Sequence, residues 1–438
     1  MPAPGTRATL AAILGLAAAG PLPGQQPATE STTTVIRAAR MLDVVSGRML
    51  ENASIVVQGD RITAVNPTSS PAGARTIDLG DVTLLPGFID AHTHLSGEIG
   101  ANMMLLPVTE TNVDAAYHAA RNGRTTVMAG FTTVRDFGGE VTVALGKAVE
   151  RGDVTGPHVV PSRNALGITG GHCDVTGYSP GILEQEVKDG VADGPWEVTQ
   201  AVRYQIKHGA QVIKTCATAG VLSMEGPVGA QQYTYEELKA MVDEAARHGV
   251  KVAAHAHGTD GIKAAVRAGV ASIEHGSILD DEAISLMKER GTYLVPTTYL
   301  ADRINLEVLP AVMRQKAQTV LPQMRESLRK AIGAGVKIAF GTDAAVYPHG
   351  ENAKEFAVYV KLGMSPLDAL RSATVNGADL LGKDDRGTLA PGKLADIIAV
   401  AGNPLADITA TERPRFVMLG GRVIRNDSVE RVRTDGAQ

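Results

Sequence analysis

The sequence predicts an α/β fold, a (β/α)8 (TIM) barrel joined to a small β-sandwich domain that both chain ends build. Through the middle of the chain, short apolar strands alternate with helical patterns, which is the arrangement of a barrel. Both ends instead show short alternating runs separated by turn residues, which is typical of antiparallel sheet. A chain of 438 residues is long enough for one large barrel and an accessory domain.

The chain starts with a segment that resembles an export signal. Residues 10–19 form an apolar run behind Arg7, of signal-peptide length and too short to span a bilayer. We therefore expect residues 1–28 to be a leader, and the mature protein to be exported, periplasmic or secreted, without a membrane segment. A disordered leader on a cytosolic protein is the alternative. Cys173 and Cys216 are too few for a disulfide framework, and we expect free thiols.

Residues 29–85 and 386–438 are assigned to one composite β domain. Each of the two segments is rich in short strands, and the edge strands of a sheet need partners. The shared pattern therefore predicts that the two chain ends pair with each other instead of forming separate domains.

The barrel is assigned to residues 86–385. Helical patterns lie between its strands, and many end at a glycine, the residue best suited to the left-handed cap. A doubly wound open sheet would also alternate, but no glycine-rich fingerprint opens a helix here. In a barrel the chemistry lies on one face, where the strands end. The eight predicted strands cover residues 88–94, 131–137, 157–163, 210–217, 250–257, 270–276, 292–298 and 336–343.

The first predicted strand carries two histidines, in the stretch LLPGFIDAHTH. His92 and His94 are two residues apart, so on a strand their side chains point to the same face. Imidazole nitrogen is a ligand that suits zinc and similar transition metals. The alternative is a pair of exposed or hydrogen-bonded histidines near a strand end, so the interpretation depends on finding further ligands.

Four further residues fall at the carboxyl ends of separate predicted strands: Lys214, His255, His275 and Asp343. A single histidine in an apolar strand is usually a hydrogen-bonded core residue. Four such residues, each at the end of its own strand, instead favour one shared site. Lys214 is the most informative, because an unpaired ammonium in a barrel interior is strongly disfavoured.

Together these residues resemble the binuclear metal-dependent amidohydrolase superfamily. The resemblance covers nearly the whole mature chain and includes PGFIDAHTH, EHG at 274–276, GTDA at 341–344 and GTLAPGKLADIIAV at 387–400. It implies a hydrolase with two divalent ions, zinc being the expected metal. The implied metal ligands are His92, His94, Lys214, His255, His275 and Asp343.

The resemblance also implies a role for each ligand. His92 and His94 would hold the more buried ion, whereas His255 and His275 would hold the more exposed one. Lys214 would be carboxylated on its amine and would bridge both ions. Asp343 would bind metal and accept the proton of the attacking water, acting as the catalytic acid–base.

Within the superfamily, three segments resemble the branch of Xaa-Pro dipeptidases, imidazolonepropionase-like enzymes and ochratoxin-degrading amidohydrolases. They are GITGGHCD (167–174), IKTCATAGV (213–221) and AAHAHG (253–258). This branch implies cleavage of an amide between an acyl group and an amino acid with a free carboxylate, as in dipeptides, N-acyl amino acids or ochratoxin A. The alternative on the same scaffold is an imidazolonepropionase-like cyclic-amide hydrolase or a deaminase.

Four residues are candidate substrate contacts. His172 and His257 lie beside presumed strand ends, and His257 is equally suited to support the neighbouring ligand His255. Ser96 and Arg163 are weaker candidates. Arg163 would pair with a substrate carboxylate, and a structural salt bridge is the equal alternative.

Composition limits the possible partners. The net charge is 42 − 47 = −5, which gives no basic face of the kind that nucleic acids require. We expect a small amide or peptide substrate, no nucleic acid, and a homo-oligomeric enzyme. A non-catalytic metal-binding or scaffold protein is the remaining alternative class, and the complete ligand set argues against it.

Overall fold

A computed structural model describes residues 33–428, so the predicted leader lies outside the described residues. Its strands are β1 (Thr33–Asp43), β2 (Arg48–Gln58), β3 (Arg61–Val65), β4 (Arg75–Asp78), β5 (Val82–Pro86), β6 (Phe88–Thr93), β7 (Phe131–Asp136), β8 (His158–Pro161), β9 (Val212–Cys216), β10 (Lys251–Ala256), β11 (Ser272–His275), β12 (Tyr293–Val295), β13 (Ile397–Ala401), β14 (Phe416–Leu419) and β15 (Arg422–Asn426).

The α-helices are α1 (Leu106–Thr109), α2 (Asn112–Met128), α3 (Val141–Arg151), α4 (Gly194–Lys207), α5 (Tyr235–Arg247), α6 (Thr259–Ala268), α7 (Asp281–Arg290), α8 (Leu300–Arg303), α9 (Ala311–Ala334), α10 (Lys354–Lys361), α11 (Pro366–Ser372) and α12 (Val375–Leu381). Three 3-10 helices cover Val187–Asp189, Leu306–Val308 and Ile408–Glu412. Among the described residues, no helix combines the length and the apolar character that a bilayer-spanning segment requires.

Seven of the predicted barrel strands form two parallel sheets. One sheet has the order β6-β7-β8 and the other has the order β9-β10-β11-β12. Three isolated parallel bridges join Leu166 to Thr215, Leu294 to Ile338, and Thr93 to Ala344. The first bridge connects the two sheets, and the other two connect β12 to β6 through the segment after α9. Backbone pairing therefore runs around the whole ring, as the predicted barrel requires.

The prediction of a regular strand over residues 336–343 is wrong. This segment pairs with its neighbours only through isolated bridges. Asp343 has φ 59°, a left-handed conformation that cannot continue a strand. Gly341 lies so close to β6 that an added Cβ would be 3.0 Å from the Cβ of His92. The segment thus departs from strand geometry, and Asp343 lies against the end of β6.

The outer helices follow the predicted pattern. Helices α6, α7 and α9 each end at a glycine in the left-handed conformation, with φ 102° at Gly269, 68° at Gly291 and 75° at Gly335. Helix α9 is 24 residues long and continues through Pro322. Leu321 and Met324, near the middle of this helix, reach the mouth of the barrel.

The two ends of the chain share one eight-stranded sheet. Its order is β15-β14-β13-β5-β1-β2-β3, with β4 paired to β1. Strand β5, which leads into the barrel, pairs antiparallel with β13 from the far end of the chain, and Leu85 lies opposite Ile398. The predicted pairing of the two ends is therefore present, while the domain boundaries stay a prediction.

Successive residues of this sheet face two different cores, as the strand period of two requires. Leu85 and Ile398 belong to the large core of the barrel. Their neighbours Leu84 and Ile397 belong to a second core that strands of the sheet build among themselves. Nearly all members of this second core come from strands at both chain ends, β1–β5 and β13–β14. The predicted fold class, a barrel with a small β domain, is confirmed.

The expectation of free thiols is wrong, because Cys173 and Cys216 form a disulfide with a Cα–Cα distance of 5.8 Å. The pairing follows from long-range register that the sequence does not display. The backbone N–H of Leu166 donates to the backbone carbonyl of Lys214, and the carbonyl of Leu166 accepts a hydrogen bond from the N–H of Cys216. This contact holds the loop after β8 against β9, so that the two cysteines meet.

Cys173→Ser should lower the free energy of unfolding by about 2–4 kcal/mol, because the bridge spans 43 residues of the unfolded chain. Equilibrium unfolding in urea without reductant measures this difference. The control is the same comparison with reductant present, where the wild type and the variant should unfold together. Equal stability without reductant would contradict the bridge.

Candidate metal centre and active site

A cavity of about 480 Å³ opens at the carboxyl ends of the barrel strands. That volume lies within the range of small-molecule sites. The cavity is lined by every metal ligand expected from the sequence: His92, His94, Lys214, His255, His275 and Asp343. Residues from both parallel sheets and from the irregular closing segment therefore converge on one place.

The first ligand group consists of His92, His94 and Asp343, whose ligand atoms all lie within 4.8 Å of one another. The Oδ1 atom of Asp343 is 3.4 Å from Nε2 of His92 and 3.2 Å from Nε2 of His94. Burial alone would raise the pKa of Asp343, but the two imidazoles outweigh it and hold that pKa well below its usual range. Asp343 is therefore a carboxylate at neutral pH.

The second group consists of His255, His257 and His275, again with ligand atoms within 4.8 Å. Burial, and then the neighbouring imidazoles, hold the pKa values of His255 and His275 well below the usual range. Burial lowers the pKa of His257 to about 3. These rings are thus neutral, which is the form that binds metal. The proximity of His257 also makes it a geometrically possible ligand.

Lys214 lies between the two groups. Its Nζ is 3.4 Å from Nε2 of His92 and 4.0 Å from the centre of the Phe137 ring. Burial lowers the pKa of Lys214 to about 8, against the opposing influence of Glu274 and Asp343. Roughly a tenth of the side chain is therefore an uncharged amine at pH 7, far more than at the ordinary pKa of lysine.

Four histidines of the cavity are oriented in the same way. Each has its Nδ1 within 2.6–2.8 Å of a side-chain oxygen, which leaves Nε2 as the nitrogen available to a ligand. The pairs are His92 with Glu274, His172 with Ser223, His257 with Ser277, and His275 with Thr297.

The donor set fits metal ions for one further reason. Nε2 of His255 is buried and has no hydrogen-bond partner among the residues that the structure describes. A buried nitrogen without a partner costs free energy, and a metal ion would remove that cost. Neutral imidazoles and a carboxylate are ligand types expected for zinc.

Glu274 was not identified as a functional residue from the sequence, yet it connects the metal centre to the barrel interior. Its Oε2 is 2.8 Å from Nδ1 of His92, and its Oε1 accepts hydrogen bonds from Arg135 at 2.7 Å and from Ser272 at 2.5 Å. Burial alone would raise the pKa of Glu274, but Arg135 and His92 more than compensate and lower it to about 2. A buried carboxylate therefore fixes the His92 ring.

Asp90 is a second residue that was not identified from the sequence. Its carboxylate accepts hydrogen bonds from Thr342 at 2.6 Å, from Asn352 at 2.8 Å and from the backbone N–H of His92 at 3.1 Å. Burial raises the pKa of Asp90 to about 7. These bonds hold the end of β6 to the segment that carries Asp343.

The sequence contains a signal for these supporting residues. Arg135, Glu274 and Asp90 are charged residues inside predicted barrel strands, and each is at most 2% exposed. The same reasoning that singled out Lys214 would have selected them, because buried charges require partners.

Three of the four candidate substrate contacts, Ser96, His172 and His257, line the cavity. Arg163 does not, and its assignment as a substrate contact is corrected. Its guanidinium donates hydrogen bonds to Gln205 at 2.7 Å and to Glu140 at 2.8 Å. Arg163 therefore forms the structural ion pair that was the alternative.

One part of the cavity wall is apolar. Side chains from the segment around α1, from α8 and from α9 form it: Met103, Leu106, Pro107, Leu300, Leu321 and Met324. The cavity lining thus combines polar candidate metal ligands with an apolar wall that suits a bulky apolar group.

The chain matches the sequence profile of the Amidohydrolase family over residues 83–424. Ochratoxinase from Aspergillus niger is 33% identical over 428 residues, which cover 91% of this chain and 88% of that protein. Imidazolonepropionase from Cutibacterium acnes is 28% identical, over 88% of this chain and 94% of that protein. The crystal structure of a Xaa-Pro dipeptidase with bound methionine in the active site aligns with a TM-score of 0.85 and 39% identity, covering 90% of this chain and 99% of its own.

Glu274→Gln should weaken zinc binding by about ten- to a hundredfold, because a neutral amide holds His92 less firmly and leaves the Arg135 charge unpaired. Competition against a chromogenic chelator measures the affinity. Glu244→Gln is the matched control, since Glu244 is another buried carboxylate paired with arginines, but on α5. Equal zinc affinity in the wild type and in Glu274→Gln would show that this carboxylate does not support the centre.

Proposed function

The chain belongs to the amidohydrolase family and is a metal-dependent hydrolase of amide bonds, and on this premise we propose a substrate class. The proposed substrate is an amide that links an acyl group to an amino acid with a free α-carboxylate. Dipeptides, N-acyl amino acids and ochratoxin A, which would yield phenylalanine and the isocoumarin acid, are the expected members of this class.

The observation that carries this proposal is a cavity whose lining combines polar candidate ligands with apolar side chains. The candidate metal ligands and an apolar wall of side chains from the segment around α1, from α8 and from α9 line this one cavity. A bulky acyl group fits against that wall while its carbonyl carbon lies over the metal ligands. Ser96, His172 and His257 are the proposed polar contacts for the rest of the substrate.

The relatives support the same class. By their names, one relative acts on ochratoxin and another on Xaa-Pro dipeptides, and the alignment with each covers about nine-tenths of this chain. Imidazolonepropionase is the relative that favours the alternative, a cyclic-amide hydrolase, at a lower identity of 28%. The substrate comparison below separates the two.

We propose two divalent ions, zinc being the expected metal, held by His92, His94, Lys214, His255, His275 and Asp343. Such ions supply, when bound, an acidic water near neutral pH and a Lewis acid for the carbonyl. The unpartnered Nε2 of His255 and the neutral state of the surrounding imidazoles support this assignment.

Asp343 is the proposed acid–base residue. As a carboxylate at neutral pH it can accept a proton from the attacking water, and it can then deliver that proton to the leaving amine. Its left-handed backbone aims the carboxylate at His92 and His94, so the proton acceptor lies among the ligands rather than behind them. The apolar wall keeps competing water away from the acyl group.

Lys214 is proposed to be carboxylated. The uncharged amine nitrogen forms a bond to the carbon of carbon dioxide and releases one proton to water, and the lowered pKa of Lys214 makes this uncharged form available. The product is an anionic oxygen ligand in place of a buried cation, and metal ions would offset the burial of that anion.

Export remains part of the proposal. The disulfide between Cys173 and Cys216 supports it, because such bridges persist mainly in oxidising compartments. An exported enzyme meets peptides and environmental amides. The homo-oligomeric state stays a prediction.

Lys214→Ala should lose most of the activity and the bridging ligand. Enzyme equilibrated with ¹³C-bicarbonate should show a carbamate signal in the NMR spectrum of the wild type that the variant lacks. Lys251→Ala is the control, because Lys251 lies on the neighbouring strand β10 and bonds only backbone carbonyls of the described residues. A short carboxylic acid in solution should partly restore activity to Lys214→Ala. An unmodified amine at Lys214 in active, metal-loaded enzyme would refute carboxylation.

Removal of the substrate carboxylate should lower kcat/KM by roughly ten- to a hundredfold, because a charge-assisted hydrogen bond is worth ~1.5–3 kcal/mol. The comparison uses an N-acyl-phenylalanine and the matching phenethylamide, which lacks only the carboxylate. Equal rates would mean that the carboxylate is not recognised and would favour a plain amidase. Hydrolysis of cyclic amides with no turnover of either compound would favour the alternative function.

A further inference from the structure

The loop after β9 carries a hydrogen-bonded relay that ends at His172. Ser223 is 7% exposed, and its Oγ donates to Oε1 of Glu225 at 2.6 Å. The same hydroxyl lies 2.6 Å from Nδ1 of His172. The carboxylate of Glu225 and the imidazole of His172 therefore share one serine hydroxyl, which carries a single proton.

The charge of Glu225 is balanced within the loop. Lys316 of α9 is a buried ammonium that donates to the backbone carbonyls of Gly220, Ser223 and Glu225. Its Nζ also lies 3.9 Å from Oε2 of Glu225, an oxygen without a hydrogen-bond partner among the described residues. Because the ammonium and the carboxylate are buried together, the ionised form of Glu225 is the one that this pair stabilises.

An ionised carboxylate only accepts hydrogen bonds, and this fixes the direction of the relay. Oε1 of Glu225 accepts from the backbone N–H of Gly220 at 3.1 Å and from the hydroxyl of Ser223. When the hydroxyl proton of Ser223 points to Glu225, the Oγ atom of Ser223 has only lone pairs left for His172. The Nδ1 atom of His172 must then be the donor.

The position of His172 is fixed from other directions as well. A Cβ at Gly220 would lie within 2.4 Å of the imidazole ring, so only a glycine allows the ring to pack there. Cys173, the next residue, is joined to β9 through the disulfide. The ring centre is 4.3 Å from that of His255, and no hydrogen bond from the described residues holds Nε2. That nitrogen is therefore left for a ligand in the cavity.

We propose that Ser223 and Glu225 are positioning residues that fix a neutral His172 as the Nδ1–H tautomer, with Nε2 as a hydrogen-bond acceptor for the substrate. In this tautomer His172 cannot donate to a carboxylate. Within the proposed substrate class, the carbonyl and the carboxylate only accept, and the amide N–H is the donor that its secondary amides share. His172 therefore binds the N–H of the scissile amide, and other residues meet the carboxylate.

The kinetic test rests on the proposed function and uses two substrates. An N-acyl-phenylalanine has the amide N–H, and its N-methyl analogue lacks it. Ser223→Ala should lower kcat/KM for the first by about tenfold, through loss of the oriented hydrogen bond, and should change the second by less than about twofold. Ser223→Thr keeps the hydroxyl and should restore the preference. Glu225→Leu, which removes the acceptor, should behave like Ser223→Ala. Equal losses on both substrates would mean a merely structural role and would overturn the proposal.

A second measurement needs no substrate. NMR of zinc-loaded enzyme labelled with ¹⁵N-histidine reports which ring nitrogen carries the proton, and His172→Asn identifies the signal. The wild type should show His172 with Nδ1 protonated and Nε2 bare, and Ser223→Ala should lose that preference. A proton on Nε2 of the wild type would overturn the proposal. If neither substrate were cleaved, the proposed function would fail while this measurement still tested the tautomer.

Discussion

The arrangement of the whole centre depends on the 2.8 Å contact between His92 Nδ1 and Glu274 Oε2 inside the barrel. Glu274 comes from β11, and its other oxygen binds Arg135 of β7, whose guanidinium also donates to the Ala91 carbonyl of β6. The neighbouring strands β6 and β7 are thereby joined to β11 of the other parallel sheet through one buried carboxylate. Burying such charges costs free energy unless each charge has a partner. The side chains of this network are therefore restricted to the arrangement in which all of them are paired. The candidate metal ligands are therefore held rigidly as well.

Backbone strain is concentrated at the same face of the barrel. His275, Thr297 and Asp343 all have positive φ, at 69°, 49° and 59°, and each lies just where a strand or the closing segment ends. Non-glycine residues rarely adopt this conformation, and it persists where the surroundings enforce it. Here it turns His275 toward its partner Thr297 and aims Asp343 into the cavity. The strain is thus a cost of placing ligands from separate strands at one point.

Local patterns in the sequence were sufficient to predict the barrel, the pairing of the chain ends and the convergence of the six candidate ligands on one cavity. His92 and His94 follow from the period of a strand, and Lys214 follows from the cost of an unpaired buried charge. Arg163 could not be assigned in this way, because its ion pair with Glu140 depends on how α3 packs. The disulfide was missed for a similar reason, since only the register between the loop after β8 and β9 brings Cys173 to Cys216.

The central claim, that amide hydrolysis requires two metal ions at this centre, is tested most directly by stoichiometric reconstitution. Metal is removed with a chelator, zinc is added back in fractions of an equivalent, and both bound metal and hydrolysis of an N-acyl-phenylalanine are measured. The binuclear centre predicts that activity rises until two zinc ions are bound to each chain. Full activity with one ion per chain, or activity without metal, would contradict it.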